Sequence, residues 1–132
     1  MEDKIKFLYY GITLLIPLAL LAISFYFKNH LPKKHNAIYG YRTGGSARNQ
    51  DTWNEANQYS SKLFFKLSVI GLNIELLIIA FARYLINFID SETLLIWALF
   101  SPLIIPILII PFTEIHLGKV FTKEGIRKKK EK

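Results

Sequence analysis

One arginine has neighbours that could give it a chemical role. Arg42 lies in the glycine-rich stretch YGYRTGG, which begins at Tyr39. In a flexible loop of this kind, the planar guanidinium can bind a phosphate or a carboxylate through two parallel hydrogen bonds. The alternative is a structural ion pair between Arg42 and Glu55 or Glu114, and the sequence favours neither interpretation.

A second candidate is a carboxylate within an apolar run. Glu75 lies between Leu67 and Phe88, where Arg83 is the other charged residue. Placing an unpaired carboxylate in hydrocarbon costs about 3 kcal/mol or more, so such a residue is usually functional. The alternative is a protonated or hydrogen-bonded glutamate that holds helices together.

The sequence does not predict catalysis, a metal site or a cofactor. We find no order of Ser, His and Asp typical of a hydrolase and no Walker-type phosphate loop. The histidines His30, His35 and His116 do not have the spacing of a known metal site, and there is no cysteine. We therefore expect a protein that is not an enzyme.

Three apolar runs must position these residues. Their approximate bounds are 7–27, 67–88 and 94–112, and the first and third contain no charge. Each matches the roughly 20 residues that a helix needs to cross about 30 Å of hydrocarbon. Pro17 should kink the first span, and Pro102, Pro106 and Pro111 the third. The sequence predicts an all-α fold, an integral membrane three-helix bundle formed by 1–132 as a single domain.

Lysine and arginine counts predict the orientation. The loop 28–66 and the tail 113–132 carry seven each, whereas the opposite side carries three. The positive-inside rule therefore places the loop and the C-terminus in the cytoplasm and the N-terminus outside. The formal net charge of +7 would suggest nucleic acid for a soluble protein; here it indicates contact with anionic lipid headgroups. Residues 126–132 are expected to form a disordered or lipid-associated end.

The loop 28–66 is predicted to contain a short interfacial helix. Asp51 or Thr52 can cap a helix that starts near Trp53 and leads into the second span. Trp53 is expected at headgroup level, where amphipathic rings are favoured. Stacking of Trp53 and the loop tyrosines on a ligand is the alternative.

The polar residues of this loop have a specific spacing. Two blocks carry the pattern: Asn36, Gly40-Tyr41-Arg42-Thr43, Ser46, Asn49, Trp53 and Ala56-Asn57, and then Thr113-Glu114, Leu117, Phe121, Gly125 and Arg127. The first block closely resembles the signature of the SdpI family of bacterial membrane proteins, and the second is similar but less specific. The chain resembles the minimal three-span form of that family, without the additional N-terminal spans of its longer immunity protein.

The resemblance implies a function in a bacterial cytoplasmic membrane. The best-known member protects its producer from a secreted, membrane-active killing peptide and is thought to hold a repressor at the membrane. It implies membrane lipids, a toxin peptide and a cytoplasmic regulator as partners. The candidate binding residues are Asn36, Gly40, Tyr41, Arg42, Thr43, Ser46, Asn49, Trp53, Asn57, Glu75 and Glu114.

Two further expectations accompany this interpretation. Three helices enclose little interior, which makes a homodimer plausible. The alternative function is a small transporter or a lipid-processing membrane enzyme, with a polar site around Arg42, Glu75 and Glu114.

Overall fold

The computed structural model describes residues 2–33, 38–85 and 91–129, and most of these residues are helical. Four helices lie in these ranges: α1 (Glu2–Asn29), α2 (Gln50–Leu85), α3 (Ser91–Phe100) and α4 (Ile104–Val120). Three segments are long and apolar enough to cross a membrane, namely Gly11–Asn29, Gln50–Phe81 and Ile96–Val120. The predicted all-α fold with three spans is therefore confirmed.

Helix α2 is the centre of the bundle. It packs against both α1 and α4, and α1 also contacts α3. The hydroxyl of Ser68 donates to the carbonyl of Leu20 at 3.4 Å, and Phe25 packs against Phe65. Ser68 follows Phe65 in α2, whereas its partner Leu20 precedes Phe25 in α1. The two helices are therefore antiparallel.

The surface of the bundle is more apolar than its interior. Large side chains such as Leu15, Leu77 and Ile107 are exposed, whereas Thr13, Ser24, Ser60, Ser61, Ser68 and Glu75 are buried. Small side chains let helix backbones approach closely within a bilayer, where lipid tails cover the apolar outer face. This distribution agrees with the membrane-spanning assignment.

One of the three prolines of the third span, Pro102, lies where its helix is interrupted, whereas Pro106 and Pro111 lie within α4. A 3-10 turn at Ser101–Leu103, with Pro102 buried in it, separates α3 from α4. Pro102 has no backbone N–H to donate, so the regular α-helical ladder cannot continue through it. The turn supplies other hydrogen bonds in place of that ladder: the N–H of Ile104 donates to the carbonyls of Ser101 and Pro102.

The helix predicted to start near Trp53 and to lead into the second span begins at Gln50. It continues into that span without a break, so α2 is 36 residues long, and no proline or glycine between Gln50 and Ile70 interrupts it. Its cap is Asn49 rather than Asp51 or Thr52. The side-chain oxygen of Asn49 accepts from the N–H of Thr52 at 2.9 Å, and the Thr52 hydroxyl accepts from the N–H of Asn49 at 3.1 Å, a reciprocal capping arrangement.

The end of the chain is ordered farther than the sequence predicts. After α4 the chain turns back, with an antiparallel bridge between Phe121 and Arg127. The N–H of Thr122 donates to the carbonyl of Ile126 at 2.8 Å, and that of Lys128 to Val120 at 2.8 Å. The expectation of disorder is therefore wrong for 126–128, because these residues have backbone partners that their charge does not reveal.

Candidate functional site

The loop before α2 is fastened to that helix by one amide side chain. Asn57 is buried, and its side-chain oxygen accepts from the N–H of Tyr41 at 2.6 Å. Its amide nitrogen donates to the carbonyl of Trp53 at 2.9 Å and lies 3.4 Å from that of Tyr41. An amide carries both a donor and an acceptor, so one side chain can satisfy both backbone groups of Tyr41.

The same loop is tied to α4 through one carboxylate oxygen. The hydroxyls of Tyr41 and Thr43 donate to Oε1 of Glu114 at 2.8 and 2.6 Å. Burial, followed by the hydrogen bond to Glu114, raises the pKa of Tyr41 well above its ordinary value. Tyr41 therefore remains a protonated donor at physiological pH.

Two glycines allow these close approaches. Gly40 has φ of 107°, and a Cβ there would lie 2.5 Å from the side-chain oxygen of Asn57. At Gly45 a Cβ would lie 2.5 Å from Oε2 of Glu114. Any larger residue would displace the groups that join the loop to α2 and α4.

Ser46 organises the turn between Thr43 and α2. Its hydroxyl oxygen accepts from the N–H of Thr43 at 2.9 Å, and its carbonyl accepts from the Thr52 hydroxyl at 3.1 Å. Ser46 is completely buried. The turn is therefore a packed element that holds Thr43 against α4.

Trp53 fixes the start of the loop. Its side chain is fully buried, and its ring nitrogen donates to the carbonyl of Pro32 at 3.1 Å. The loop covers the ring, so Trp53 packs within the protein; its expected depth at headgroup level stays a prediction. Stacking of this ring on a ligand is excluded in this conformation for the same reason.

A cavity of about 150 Å³ lies beside the Asn57 contact. Four parts of the chain contribute to its largely apolar wall. They are the end of α1, the following loop, α2 and α4, through Phe27, Leu31, Pro32, Gly40, Tyr41, Asn57, Ser60, Ser61, Phe64 and Ile109. An apolar wall with a few hydrogen-bonding groups is typical of a small-ligand or side-chain pocket.

A charged cluster ties the C-terminal turn to the first turns of α2. Arg127 pairs with Asp51 at 3.0 Å and with Glu55 at 2.9 Å. His116 contacts Glu55 at 2.9 Å and stacks on Tyr59 with ring centroids 3.9 Å apart. The hydrogen bond from Arg127 lowers the pKa of Asp51, and that from His116, supported by Arg127, lowers the pKa of Glu55.

The residues of the second sequence block pack beneath this cluster. Leu117 and Phe121 form a buried core with Ala56. Gly125 has φ of 81°, and its carbonyl accepts from the side-chain amide of Asn49 at 2.8 Å. The two blocks therefore fold into one polar assembly at one end of the bundle.

Comparison with known families identifies the chain. The family model described as the SdpI/YfhL protein family matches residues 33–112, which is more than half of the chain. The protein belongs to the SdpI/YfhL family. The match includes the whole first block, whereas Thr113 and the residues after it lie beyond the matched range.

One curated relative of this SdpI/YfhL protein is the uncharacterized protein YfhL of Bacillus subtilis (strain 168). It is 43% identical over 47 residues, which is 36% of this chain and 43% of the relative. The aligned part thus spans less than half of that relative's length. No solved structure matches the chain.

Most of the predicted site residues meet in this assembly. Gly40, Tyr41, Thr43, Ser46, Asn49, Trp53, Asn57 and Glu114 all contribute contacts there. Arg42 lies exposed beside them, and Asn36 lies outside the described residues. Glu75 is on α2, 18 residues beyond Asn57, or about 27 Å along the helix.

Several contributors were not among the candidates. Pro32, Asp51 and His116 supply contacts that join different segments. His116 and Glu55 are separated by 61 residues in sequence, so no local spacing reveals their pairing. Arg127 is also absent from the candidate residues, although its position in the second sequence block could have identified it.

Proposed function

We propose that this protein is an immunity protein of a bacterial cytoplasmic membrane, which protects its host from a secreted, membrane-active killing peptide. The observation that carries the proposal is the part of the first block of the family signature from Gly40 to Asn57, in a membrane-spanning chain. Its residues build one hydrogen-bonded assembly beside a cavity, an arrangement that suits recognition of a ligand.

The cavity is the part of this assembly suited to a peptide side chain. Its wall is mainly apolar, with hydrogen-bonding groups of Tyr41, Asn57, Ser60 and Ser61 at its edge. A peptide that enters the bilayer presents apolar side chains to just such a surface. The exposed Arg42 lies next to Tyr41 and can bind a carboxylate of the peptide through its planar fork.

The test compares survival of a sensitive bacterium in the presence of an SDP-type killing peptide, with and without this protein. Ser60→Leu fills the cavity, and we expect it to abolish most of the protection. Ser60→Ala is the matched control, since it removes the same hydroxyl without filling the space. Both proteins must be present in the membrane fraction at the level of the wild type.

Unchanged survival with Ser60→Leu would contradict the role of the cavity, and no protection by the inserted wild type would contradict immunity itself. Arg42→Gln is the second variant, with Lys123→Gln as its exposed control. Trp53 is unsuitable for this purpose, because its complete burial makes any replacement a change in folding.

The second candidate function is a small transporter or a lipid-processing enzyme. The observation that favours it is Glu75, whose side chain is 1% exposed and whose Oε1 has no hydrogen-bond partner among the described residues. Transport by this route requires Glu75, whereas recognition at the cavity does not. Loss of protection in Glu75→Gln together with normal protection in Ser60→Leu would favour the transporter.

A further inference from the structure

Glu75 lies near the middle of the membrane. It is nine residues after Lys66 and eight before Arg83 on the same helix. At 1.5 Å per residue these basic residues lie about 14 and 12 Å away along the helix, which is close to half the thickness of the hydrocarbon core. Glu75 is therefore at the depth where a carboxylate is least able to reach water.

The register of α1 against α2 shows which residues lie at the depth of Glu75. Because Ser68 donates to the carbonyl of Leu20 and α1 is antiparallel to α2, Glu75 lies at the level of Thr13. One turn before Glu75, Gly71 packs against the side chain of Ile105. Small and apolar groups thus enclose Glu75 on both sides.

The elements packed against α2 bring no charge to this depth. The runs 7–27 of α1 and 94–112 of α3 and α4 contain no acidic or basic residue. Their titratable groups are the phenols of Tyr9, Tyr10 and Tyr26. Tyr9 and Tyr10 lie about one turn from Thr13 along α1, and Tyr26 lies at the other end of the span.

We infer that Glu75 is a proton-binding site in the middle of the bilayer. Its side chain is buried, and Oε1 has no hydrogen-bond partner in the described part of the chain. Among the described side chains no cation is paired with Glu75. Burying an ionised carboxylate without a cation costs far more free energy than burying the neutral acid. The packed helices therefore hold the protonated form.

Binding and release of this proton are coupled to the packing of α1, α2 and α4. The bundle closes over Glu75 when the side chain is neutral. Release of the proton leaves a charge that needs water or a cation, so it favours separation of the helices around Gly71 and Thr13. Protonation of Glu75 is in this way linked to opening of the bundle, whichever peptide or substrate the protein recognises.

The test uses an apolar carbodiimide on the purified protein in lipid vesicles. The acid proton of Glu75 moves to one carbodiimide nitrogen while the carboxyl oxygen bonds to the central carbon, and the adduct rearranges to a stable acylurea. We expect peptide mapping by mass spectrometry to place the adduct on Glu75 and Glu75→Gln to lack it. A water-soluble carbodiimide should modify the exposed Glu124 and spare Glu75.

Infrared spectroscopy provides a readout that does not depend on reagent access. The wild type minus Glu75→Gln difference at neutral pH should contain the C=O band of a protonated carboxylic acid, shifted in D2O. Carboxylate bands alone in that difference, or no Glu75 adduct with the apolar reagent, would overturn the assignment. Neither measurement uses protection against a peptide, so failure here is distinct from failure of the immunity proposal.

Discussion

At the scale of single residues, the assembly depends on side chains that each satisfy more than one group. Asn57 binds the N–H of Tyr41 at 2.6 Å and also donates to the carbonyl of Trp53 at 2.9 Å. Glu114 accepts two hydroxyl groups on a single oxygen. A replacement at either position leaves several buried partners unsatisfied at once.

The glycines give the sharpest prediction at this scale. Gly40→Ala should destabilise the protein by about 1–3 kcal/mol, because it combines a positive φ with a clash against Asn57. Gly45→Ala should also destabilise it, through the clash with Glu114. Gly44→Ala is the matched control, since a Cβ there meets nothing within 4 Å. Thermal unfolding in detergent would compare the three variants.

The two glycines would be shown to have no packing role if Gly40→Ala and Gly45→Ala unfolded at the temperature of Gly44→Ala. A lowered transition in all three would instead indicate a general effect of alanine in this loop.

Glu114 allows its charge to be separated from its hydrogen bonds. Glu114→Gln keeps an oxygen acceptor for Tyr41 and Thr43, whereas Glu114→Ala removes it. We expect Glu114→Ala to cost about 1 kcal/mol more than Glu114→Gln, because the partly buried hydroxyl of Thr43 loses this acceptor and that of Tyr41 keeps only the carbonyl of Ile110 at 3.2 Å. Unfolding measurements on both variants check this, and equal stability would show that charge rather than the acceptor is important.

At the scale of elements, the C-terminal turn 121–128 packs against the start of α2, and we call this turn the clasp. Its backbone bridge between Phe121 and Arg127 is short. It is attached to α2 and its cap by the ion pairs of Arg127 with Asp51 and Glu55, by the hydrogen bond from Asn49 to Gly125 and by the buried ring of Phe121. Exposed ion pairs contribute little to global stability but can hold a local element in place. The clasp should therefore open without unfolding of the bundle.

The clasp should open in acid. The pKa values of Asp51 and Glu55 are lowered in the folded protein, so their contribution is complete at neutral pH and is lost as the pH falls below about 4. Amide exchange of Thr122 and Lys128, corrected for its intrinsic pH dependence, should accelerate several-fold there. Exchange in the transmembrane part of α2 should remain slow.

Removing the arginine should have the same effect at neutral pH. Arg127→Ala is expected to accelerate exchange of the Thr122 and Lys128 amides, whereas the exposed-residue control Lys123→Ala should not. Equal protection in both variants would show that backbone pairing alone holds the turn.

At the scale of the whole molecule, the three spans separate two aqueous ends of unequal charge. The loop and the tail that form the assembly carry most of the basic residues. The positive-inside rule predicts that this is the cytoplasmic end and that the N-terminus lies outside. Under the proposed immunity function, a killing peptide would then reach the cavity from within the bilayer or after crossing it.

The orientation can be tested by labelling single introduced cysteines, because the chain contains no cysteine of its own. A membrane-impermeant maleimide applied to intact cells should label Glu92→Cys and leave Lys123→Cys unlabelled. Permeabilised cells should label both, which controls for access. The reverse pattern in intact cells would place the assembly outside and contradict the predicted topology.

The sequence by itself determined the elements and much of the membership of the assembly. Charge-free runs of bilayer length predict the spans, because backbone hydrogen bonds must be satisfied internally in lipid. The family spacing selected Gly40, Tyr41, Asn57 and Glu114 before their contacts were known. These properties are local, so they can be read from composition and spacing.

The tertiary structure decided how those residues are used. Trp53 is covered by the loop, Asn49 rather than Asp51 caps α2, and Arg127 closes the clasp. The pairing of His116 with Glu55 and the burial of Glu75 likewise depend on how α1, α2 and α4 pack. Contacts between residues tens of positions apart are set by helix register, which no local pattern in the sequence specifies.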